Sequence, residues 1–534
     1  MMSEQESGTQ SEPESKLQPQ PDTQQPGLGQ QSQPQSQPQQ QPQPQSRRQQ
    51  IMKLAVAIIV VEFVSGFTQG FYEPLIPKFG ELLSVDASGL QLFNVIPTAV
   101  AALFVPFLTR LGDIKGYRKI LRIVVATVFV ATILIMLGTM LQSWALVLFG
   151  RLLNGPIAVW LPLHIALVHS RAEGKSATTA VSMIIATLAV GTVIGTASSG
   201  FIFALLDNNL AQTLIIVPLL QVIAVAIVVF VMPEYVSGAH PHIDAKGFIV
   251  LGVIMFVAIL GFVEVVVGGL DTVIGVFCLL ASAVIGVVWY RMEKRTEHPA
   301  IDVRVLFSRR LAPLYVSAIC YGAVFYGFLA PVATFLAADP GALGFGYGFA
   351  PSSISIAQTL ILIATVIAAL VLPLLITRTG SKAALVLGFA LAAVGFLQWA
   401  LLDDSILKLA LFIVLIGLGT GVVSAAIPVI IPQRSPQEQR GVATGLFNSS
   451  QTLGGALGGG LFISLLKVGA SSSGTITSVG YTVVWLTCAL IMVLGLLVVL
   501  VFLAGEKNMS SRAAGEKNTI SREREQQKDH QGRY

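Results

Sequence analysis

Charge is scarce in this chain: Asp, Glu, Lys and Arg make up 11% of it, against about 25% in soluble globular proteins. So few charges over 534 residues cannot clothe a soluble surface, and an apolar fraction of 54% excludes one as well. Apart from the N-terminal tail, no polar interval is long enough for a soluble domain, which excludes a pump driven by nucleotide hydrolysis in its own chain. Cysteine is nearly absent too. Cys278, Cys320 and Cys488 lie scattered in apolar segments, an odd, unclustered set that argues against a disulfide framework or metal site and leaves packing as their role. Catalytic motifs are missing: neither His-Glu-x-x-His nor Gly-x-Ser-x-Gly occurs, and Gly174-Lys175-Ser176 has His169 where a phosphate loop needs glycine. No enzymatic activity and no cofactor is expected.

What the chain has is long hydrophobic runs. Segments of about 20 apolar residues, the length that crosses a bilayer as a helix, begin near 52, 89, 120, 144, 177, 210, 248, 272, 311, 352, 383, 407, 441 and 480. They predict an all-α polytopic membrane protein of about fourteen spans with both termini on one side. Lys and Arg then concentrate in alternate loops, at Arg110 to Arg122, Arg291 to Arg310, Arg378, Lys382, Arg434 and Arg440, while the other loops hold only Lys78, Lys408 and Lys467. This bias predicts cytoplasmic termini and a place in the plasma membrane, with the bilayer as partner; the net charge of +5 calls for no nucleic acid. No obligatory protein partner is indicated.

Residues 1–50 are Gln, Pro and Ser with almost no large apolar side chain, and are expected to be disordered and cytoplasmic. They lack the apolar core of a signal peptide. Residues 505–534 form a second polar tail, also expected in the cytoplasm.

A polar hinge interrupts the second and third apolar runs: Thr109-Arg110-Leu111-Gly112-Asp113-Ile114-Lys115-Gly116-Tyr117-Arg118-Lys119. A shortened copy, Thr377-Arg378-Thr379-Gly380-Ser381-Lys382, occupies the comparable place in the second half. Paired hinges in two apolar halves indicate internal duplication, a common build for secondary transporters.

Asp113, Gly116 and the pair Arg118-Lys119 resemble the signature loop of the major facilitator superfamily between its second and third spans. Three further stretches resemble that family. Arg151-Leu152-Leu153-Asn154-Gly155 is similar to its fourth-span arginine motif. Gly191 to Gly200 resembles its glycine-rich antiporter motif, with Thr196 where proline is usual. His298-Pro299-Ala300-Ile301-Asp302 is similar to the linker after the two extra spans of its fourteen-span drug:proton antiporter branch. The resemblance covers about 51–504. It implies a six-helix bundle at 51–235, two extra helices and a cytoplasmic linker at 236–310, and a second six-helix bundle at 311–504.

Ionisable groups inside the spans mark transport pathways. Glu62 lies about eleven residues into the first span, roughly 16 Å deep at 1.5 Å per residue, where a carboxylate costs on the order of 2.5 to 3.5 kcal/mol. Arg151 enters the fourth span from the opposite side and is the expected partner, directly or through Asn154. In this reading Glu62 takes up and releases the coupling proton; a fixed ion pair locking two helices is the alternative. Glu73, at the outer end of the first span beside Pro74, is a candidate entry-gate proton acceptor or a snorkelling interfacial carboxylate. His164, with His169 nearby, is a candidate proton relay or an ordinary helix-end residue. Gln69, Asn94, Asn154, Gln358, Asn448 and Gln451 are candidate lining groups for a small-molecule substrate. Asp113, Gly116, Arg118 and Lys119 are expected to act in gating, with Asp113 accepting hydrogen bonds or charge from a neighbouring helix end in one state. Gly191, Gly195 and Gly200, together with Gly454-Gly455-Ala456-Leu457-Gly458, are expected to give smooth helix faces at the junction of the halves.

The expected function is secondary active transport by alternating access: export of drug-like or amphipathic molecules driven by the proton gradient. A carrier of a specific metabolite such as a sugar, amino acid or peptide, or a membrane sensor without transport, are the other readings.

Overall fold

The computed structural model describes residues 44–169, 174–232, 244–267, 270–296, 299, 303–308, 310–401, 405–435, 440–470 and 476–502. The expectations for the tails at 1–43 and 503–534, most of the His298 motif and the loop at Arg171 lie outside these residues. The chain divides into two compact units, Met1–Arg48 and Gln49–Tyr534, and the helices below belong to the second.

In chain order these are α1 Leu54–Leu83, α2 Ala87–Lys115, α3 Tyr117–Met140, α4 Trp144–His169, α5 Thr179–Leu205, α6 Leu210–Val231, α7 Ala245–Val267, α8 Val273–Arg295, α9 Ala312–Ala337, α10 Pro351–Thr379, α11 Ser381–Leu401, α12 Ile406–Arg434, α13 Arg440–Leu466 and α14 Ser478–Val501. Twelve of them are long and apolar enough to cross a membrane. The other two, α7 and α13, occupy expected span positions without meeting that measure, α13 being diluted by Gly, Ser, Asn and Gln. The chain is thus an all-α, multi-pass membrane protein, with twelve helices of spanning length and composition among the described residues. No strand occurs among the described residues.

Consecutive helices run in alternate directions, so the loops fall on two faces. The one holding the start of α1 and the hinges is here called the terminal face. On the opposite face the helix starts are capped in sequence-legible ways. Asp86 accepts from Gly89 N, Ser143 from Leu146 N, Asn209 from Gln212 N and Ser405 from Lys408 N, each satisfying an amide that the helix leaves without a partner.

Each half packs around its own apolar residues, and Ala330 of α9 joins one cluster of the first half. Val61, Leu121, Trp160 and Leu163 belong to one packed cluster of the first half, and Phe71, Phe79 and Phe93 to another. The second half packs around Phe328, Phe396, Trp399, Phe412 and Trp485. Helix α7 lies against α8, α13 and α2, with Phe248 edge-on to Phe107 at 5.5 Å between ring centres.

The paired hinges share one backbone. Gly116 has φ 100° and Gly380 φ 85°, a region open to glycine and strained for other residues. Gly116 N bonds Gly112 O at 2.9 Å and Ile120 N bonds Gly116 O at 3.3 Å; in the copy Gly380 N bonds Ile376 O at 2.8 Å and Ala384 N bonds Gly380 O at 3.1 Å. The cation two residues after each glycine also has the same task. Arg118 Nη2 donates to Val229 O at 2.5 Å near the end of α6, joined by Arg122 at 2.9 Å, and Lys382 Nζ donates to Leu500 O at 3.0 Å near the end of α14. Cations at helix C-termini are favoured because the last carbonyls are unbonded and carry partial negative charge. Lys119 is exposed. Asp113 accepts from Tyr117 Oη at 2.7 Å and faces Arg110 at 3.8 Å, both within the hinge.

The glycine faces are placed differently from the sequence expectation. A Cβ on Gly191 or Gly195 would run into the carbonyls of Phe63 and Phe67, and one on Gly66 or Gly70 into those of Leu188 and Thr192. This is a backbone-to-backbone crossing of α1 and α5 inside the first half. Gly454 and Gly458 meet Ile319 and Ala323 on α9 in the same manner inside the second. The junction of the halves is formed instead by Gly200, facing Pro351, and by Gly455 and Gly459, facing Thr98 and Val95. The period of four that aligns small residues on one helix face does not say which neighbour that face meets.

Candidate functional site: a central cavity and a buried proton pair

Prolines shape the site. Pro97 has no N–H to bond Phe93 O, four residues earlier, and Pro331 likewise leaves Gly327 O without its helical partner. Buried polar side chains from other helices take both carbonyls: Arg151 Nε donates to Phe93 O at 2.7 Å, and Gln91 Nε2 donates to Gly327 O at 2.6 Å. The second bond crosses between the halves. Ser199 Oγ lies 3.3 Å from Ser355 Oγ, and Gly200 N donates to Ser355 Oγ at 3.0 Å. These three hydrogen bonds join the two six-helix halves, and all lie towards the face opposite the hinges. That face is closed.

Below the closure is a cavity with ≈ 160 Å³ open to the centres of water molecules, room for several waters at ~10–15 Å³ each. Gln69, Glu73, Asn94, Arg151, Asn154 and Gln358 supply its polar wall, and Phe325, Tyr326 and Phe328 an aromatic one. Arg151 is 7% exposed and lies over two rings, with its Cζ 4.1 Å from the Phe93 centroid and 5.4 Å from that of Tyr72, an arrangement that offsets part of the cost of burying the cation. Its Nη2 donates to Asn94 Oδ1 at 3.3 Å, and Asn94 Nδ2 donates to Glu73 Oε2 at 3.1 Å. An amide thus relays between a cation and a carboxylate on three different helices. The oxygens Asn154 Oδ1 and Gln358 Oε1 are buried and have no hydrogen-bond partner among the described residues. Two unbonded acceptors beside a cavity are open to hydroxyl or amine donors of a solute.

Glu73 lies deeper than expected. The first span continues past Pro74, through a 3-10 turn at Glu73–Leu75 and a further helix at Ile76–Leu83, which sets Glu73 roughly 15 Å from that end at 1.5 Å per residue. Proline in a first turn is compatible with a helix restarting, whereas the sequence reading ended the span there.

Glu62 does not meet Arg151. Among the described residues its partner is His164: Nδ1 and Oε1 are 2.6 Å apart, and both side chains are fully buried. The reason is vertical register. Arg151 is drawn towards the opposite face by the freed Phe93 carbonyl, while Glu62 meets α4 thirteen residues later, near its terminal-face end. Burial of a carboxylate is costly unless it is paired or protonated, and the pair holds one proton on the Nδ1 to Oε1 line in either form. Glu62 Oε2, His164 Nε2 and Trp160 Nε1 are buried and have no hydrogen-bond partner among the described residues.

Of the remaining expected lining groups, Gln69 bonds back to Ser65 while facing the cavity. Gln451 donates to Tyr326 Oη at 3.1 Å and so stands behind the wall. Asn448 is half-buried and is not part of the lining. Sequence reasoning missed Gln91, the aromatic wall at 325–328 and Thr98, Thr192, Thr196 and Thr452, which also line the cavity. The spacings Phe93-x-x-x-Pro97 and Gly327-x-x-x-Pro331 were the readable signals for Arg151 and Gln91, since each proline announces a free carbonyl.

The family model described as Major Facilitator Superfamily matches residues 58–459 and again 314–528. The chain belongs to the major facilitator superfamily. It is therefore a membrane transporter rather than an enzyme. Two curated relatives of this superfamily member are informative. The uridine/deoxyuridine transporter of Lactococcus lactis subsp. cremoris (strain MG1363) is 26% identical over 432 residues, covering 76% of this chain and 85% of the relative. The lincomycin resistance protein of Streptomyces lincolnensis is 26% identical over 365 residues, covering 67% and 72%. Among solved structures, the nucleoside transporter NupG superposes with a TM-score of 0.58 at 16% identity, covering 84% of this chain and 99% of that one. An auto-inhibited peptide transporter of the POT family gives 0.61 at 15% identity, covering 84% and 96%. At these identities the structural likeness concerns the fold.

Proposed function

We propose that this protein is a proton-coupled exporter of drug-like small molecules, of the drug:proton antiporter type, lying in the plasma membrane with both termini in the cytoplasm and working by alternating access. The observation that carries the reading is the presence, in one half, of two separate ionisable sets within the spans: half-buried Glu73 with Asn94 and Arg151 on the cavity wall, and fully buried Glu62 with His164 away from it. The first set meets the solute and the second holds the coupling proton. A gradient of ~150 mV supplies ~3.5 kcal/mol per charge, enough for a roughly 300-fold solute gradient at one proton per cycle. No cofactor, nucleic acid or protein partner enters the cycle. The gating role falls to the hinges at Asp113, Gly116, Arg118 and Lys119, and to the contact of Gly200 with Pro351.

The wall chemistry supports a solute with hydroxyl or amine donors on a flat or apolar body. The lincomycin resistance relative favours export of such an antibiotic. A second reading, a nucleoside carrier, is favoured by the uridine/deoxyuridine transporter, since a nucleoside has the same two features, a planar ring and hydroxyls. Binding of lincomycin and uridine to purified protein, followed by calorimetry, separates them. The solute that binds should lose affinity about tenfold or more in Glu73→Gln and in Tyr326→Ala. Binding of either solute unaffected by both substitutions would remove the cavity from the reading.

A further inference from the structure

Helices α7 and α8 and the segment after them enclose a second recess, apolar and ≈ 490 Å³ in volume, lined by Leu251 and Ile254 of α7, Gly286, Val287 and Tyr290 of α8, and Phe307. Its walls are fixed. Trp289 Nε1 donates to Gly247 O at 3.0 Å, joining α8 to α7, and the Tyr290 and Phe307 rings meet edge-on with centroids 5.2 Å apart. Its interior is open: a Cβ on Gly286 would meet nothing within 4 Å.

One end of this recess is cationic. The lining stripe of α8 continues one turn further, four residues on from Val287 and Tyr290, as Arg291 and Lys294, both exposed. Lys246 at the start of α7 and Arg310 beyond Phe307 are exposed on the same face. Of the nearby described carboxylates, Asp244 accepts from Gly247 N at 2.9 Å as a helix cap, and Glu293 is buried. An apolar slot with cations at one mouth fits an amphiphile that has an acyl chain and an anionic head.

We infer that this recess is a binding site for an anionic phospholipid, with an acyl chain beside Gly286 and the phosphate on Arg291 and Lys294. A zwitterionic lipid fills the slot less well because its headgroup brings a cation of its own to the rim. The position also gives the lipid leverage, since α7 packs on α2 through Gly252 and Leu103, and α2 meets α13 at the junction of the halves. This assignment is independent of which solute is carried.

Native mass spectrometry of the full-length protein, purified in detergent with equal amounts of phosphatidylglycerol and phosphatidylcholine, tests it. Wild type should retain one phosphatidylglycerol, with a preference of about tenfold or more. Gly286→Phe should lose that lipid, because the ring fills open space, with an unchanged melting temperature in lipid-free detergent. Arg291→Gln/Lys294→Gln, on exposed side chains that do not carry folding, should keep a lipid but lose the preference for phosphatidylglycerol. Equal retention of both lipids by wild type would show that the cations serve only membrane topology and would overturn the assignment. So would retention of phosphatidylglycerol undiminished by Gly286→Phe, or undiminished preference in the double variant.

Discussion

Gly200 offers a way to prise the halves apart with a single methyl group. A Cβ there would overlap the Pro351 carbonyl and lie 2.6 Å from Ser352 N, where ordinary contact begins at 3.4 Å. Both obstacles are backbone at the start of α10, so neither can rotate away, and α5 and α10 must separate by about 1 Å for the methyl to fit. Overpacking of this kind costs typically 1–3 kcal/mol, and a backbone clash belongs at the upper end. The cost falls only on the state in which the opposite face is closed. At 1.4 kcal/mol per tenfold, Gly200→Ala should move the equilibrium towards opening on that face by roughly 30- to 100-fold. A cysteine at Thr98, which lines the cavity, reports this in a background lacking Cys278, Cys320 and Cys488. Its rate of modification by a membrane-impermeant thiol reagent added on the opposite face should rise by up to that factor. Gly195→Ala is the control, since its methyl meets Phe67 within the same half; it should lower stability by a similar energy and leave the labelling rate unchanged. Equal labelling of wild type and Gly200→Ala would refute the claim that this glycine belongs to a moving junction, as would equal acceleration by both substitutions.

Other outcomes follow from the same contacts. Arg118→Gln and Lys382→Gln should each lower thermal stability by about 0.5–1 kcal/mol, the usual worth of a cation at a helix end. Their effects should add, because the two hinges lie in different halves; no loss from either would show that the hinge cations do not hold the sixth helices. His164→Ala takes from Glu62 its hydrogen-bond partner and should cost on the order of 3–5 kcal/mol. Glu62→Gln/His164→Ala should be less destabilised than His164→Ala alone, because no carboxylate is then left buried. Denaturation of the single and double variants in detergent gives the comparison, and a double variant worse than the single would contradict a charged pair.

Much of the fold is legible in one dimension, for identifiable reasons. Hydrophobic length finds the helices, alternation places their ends on two faces, and the glycine and cation of each hinge are near enough in sequence for the duplication to be read directly. Legibility fails where depth and azimuth decide. Glu62 and Arg151 lie on the expected pair of helices, yet the four-residue rule linking Pro97 to Phe93 draws Arg151 to the cavity and leaves the carboxylate to His164. Pro74 reads as a helix end and so sets Glu73 at a membrane surface, but the helix restarts beyond it. Gly191 and Gly195 were correctly seen as a close-approach face, but sequence spacing carries no information on whether that face looks at α1 or at the other half. Gln91 has nothing in its local pattern to distinguish it from the other amides; only the free carbonyl at Gly327 singles it out.

The account stands on Glu62 holding the coupling proton apart from the solute cavity. Proteoliposomes carrying wild type or Glu62→Gln, loaded with the solute that binds, measure this in two ways: accumulation driven by an imposed pH gradient, and exchange of labelled for unlabelled solute with no gradient. Glutamine keeps the size of the side chain and a hydrogen bond to His164 while removing the titratable oxygen pair. The account predicts that the variant retains exchange within about threefold, a difference of less than one kcal/mol, and loses gradient-driven accumulation. Accumulation by Glu62→Gln equal to that of wild type would contradict it.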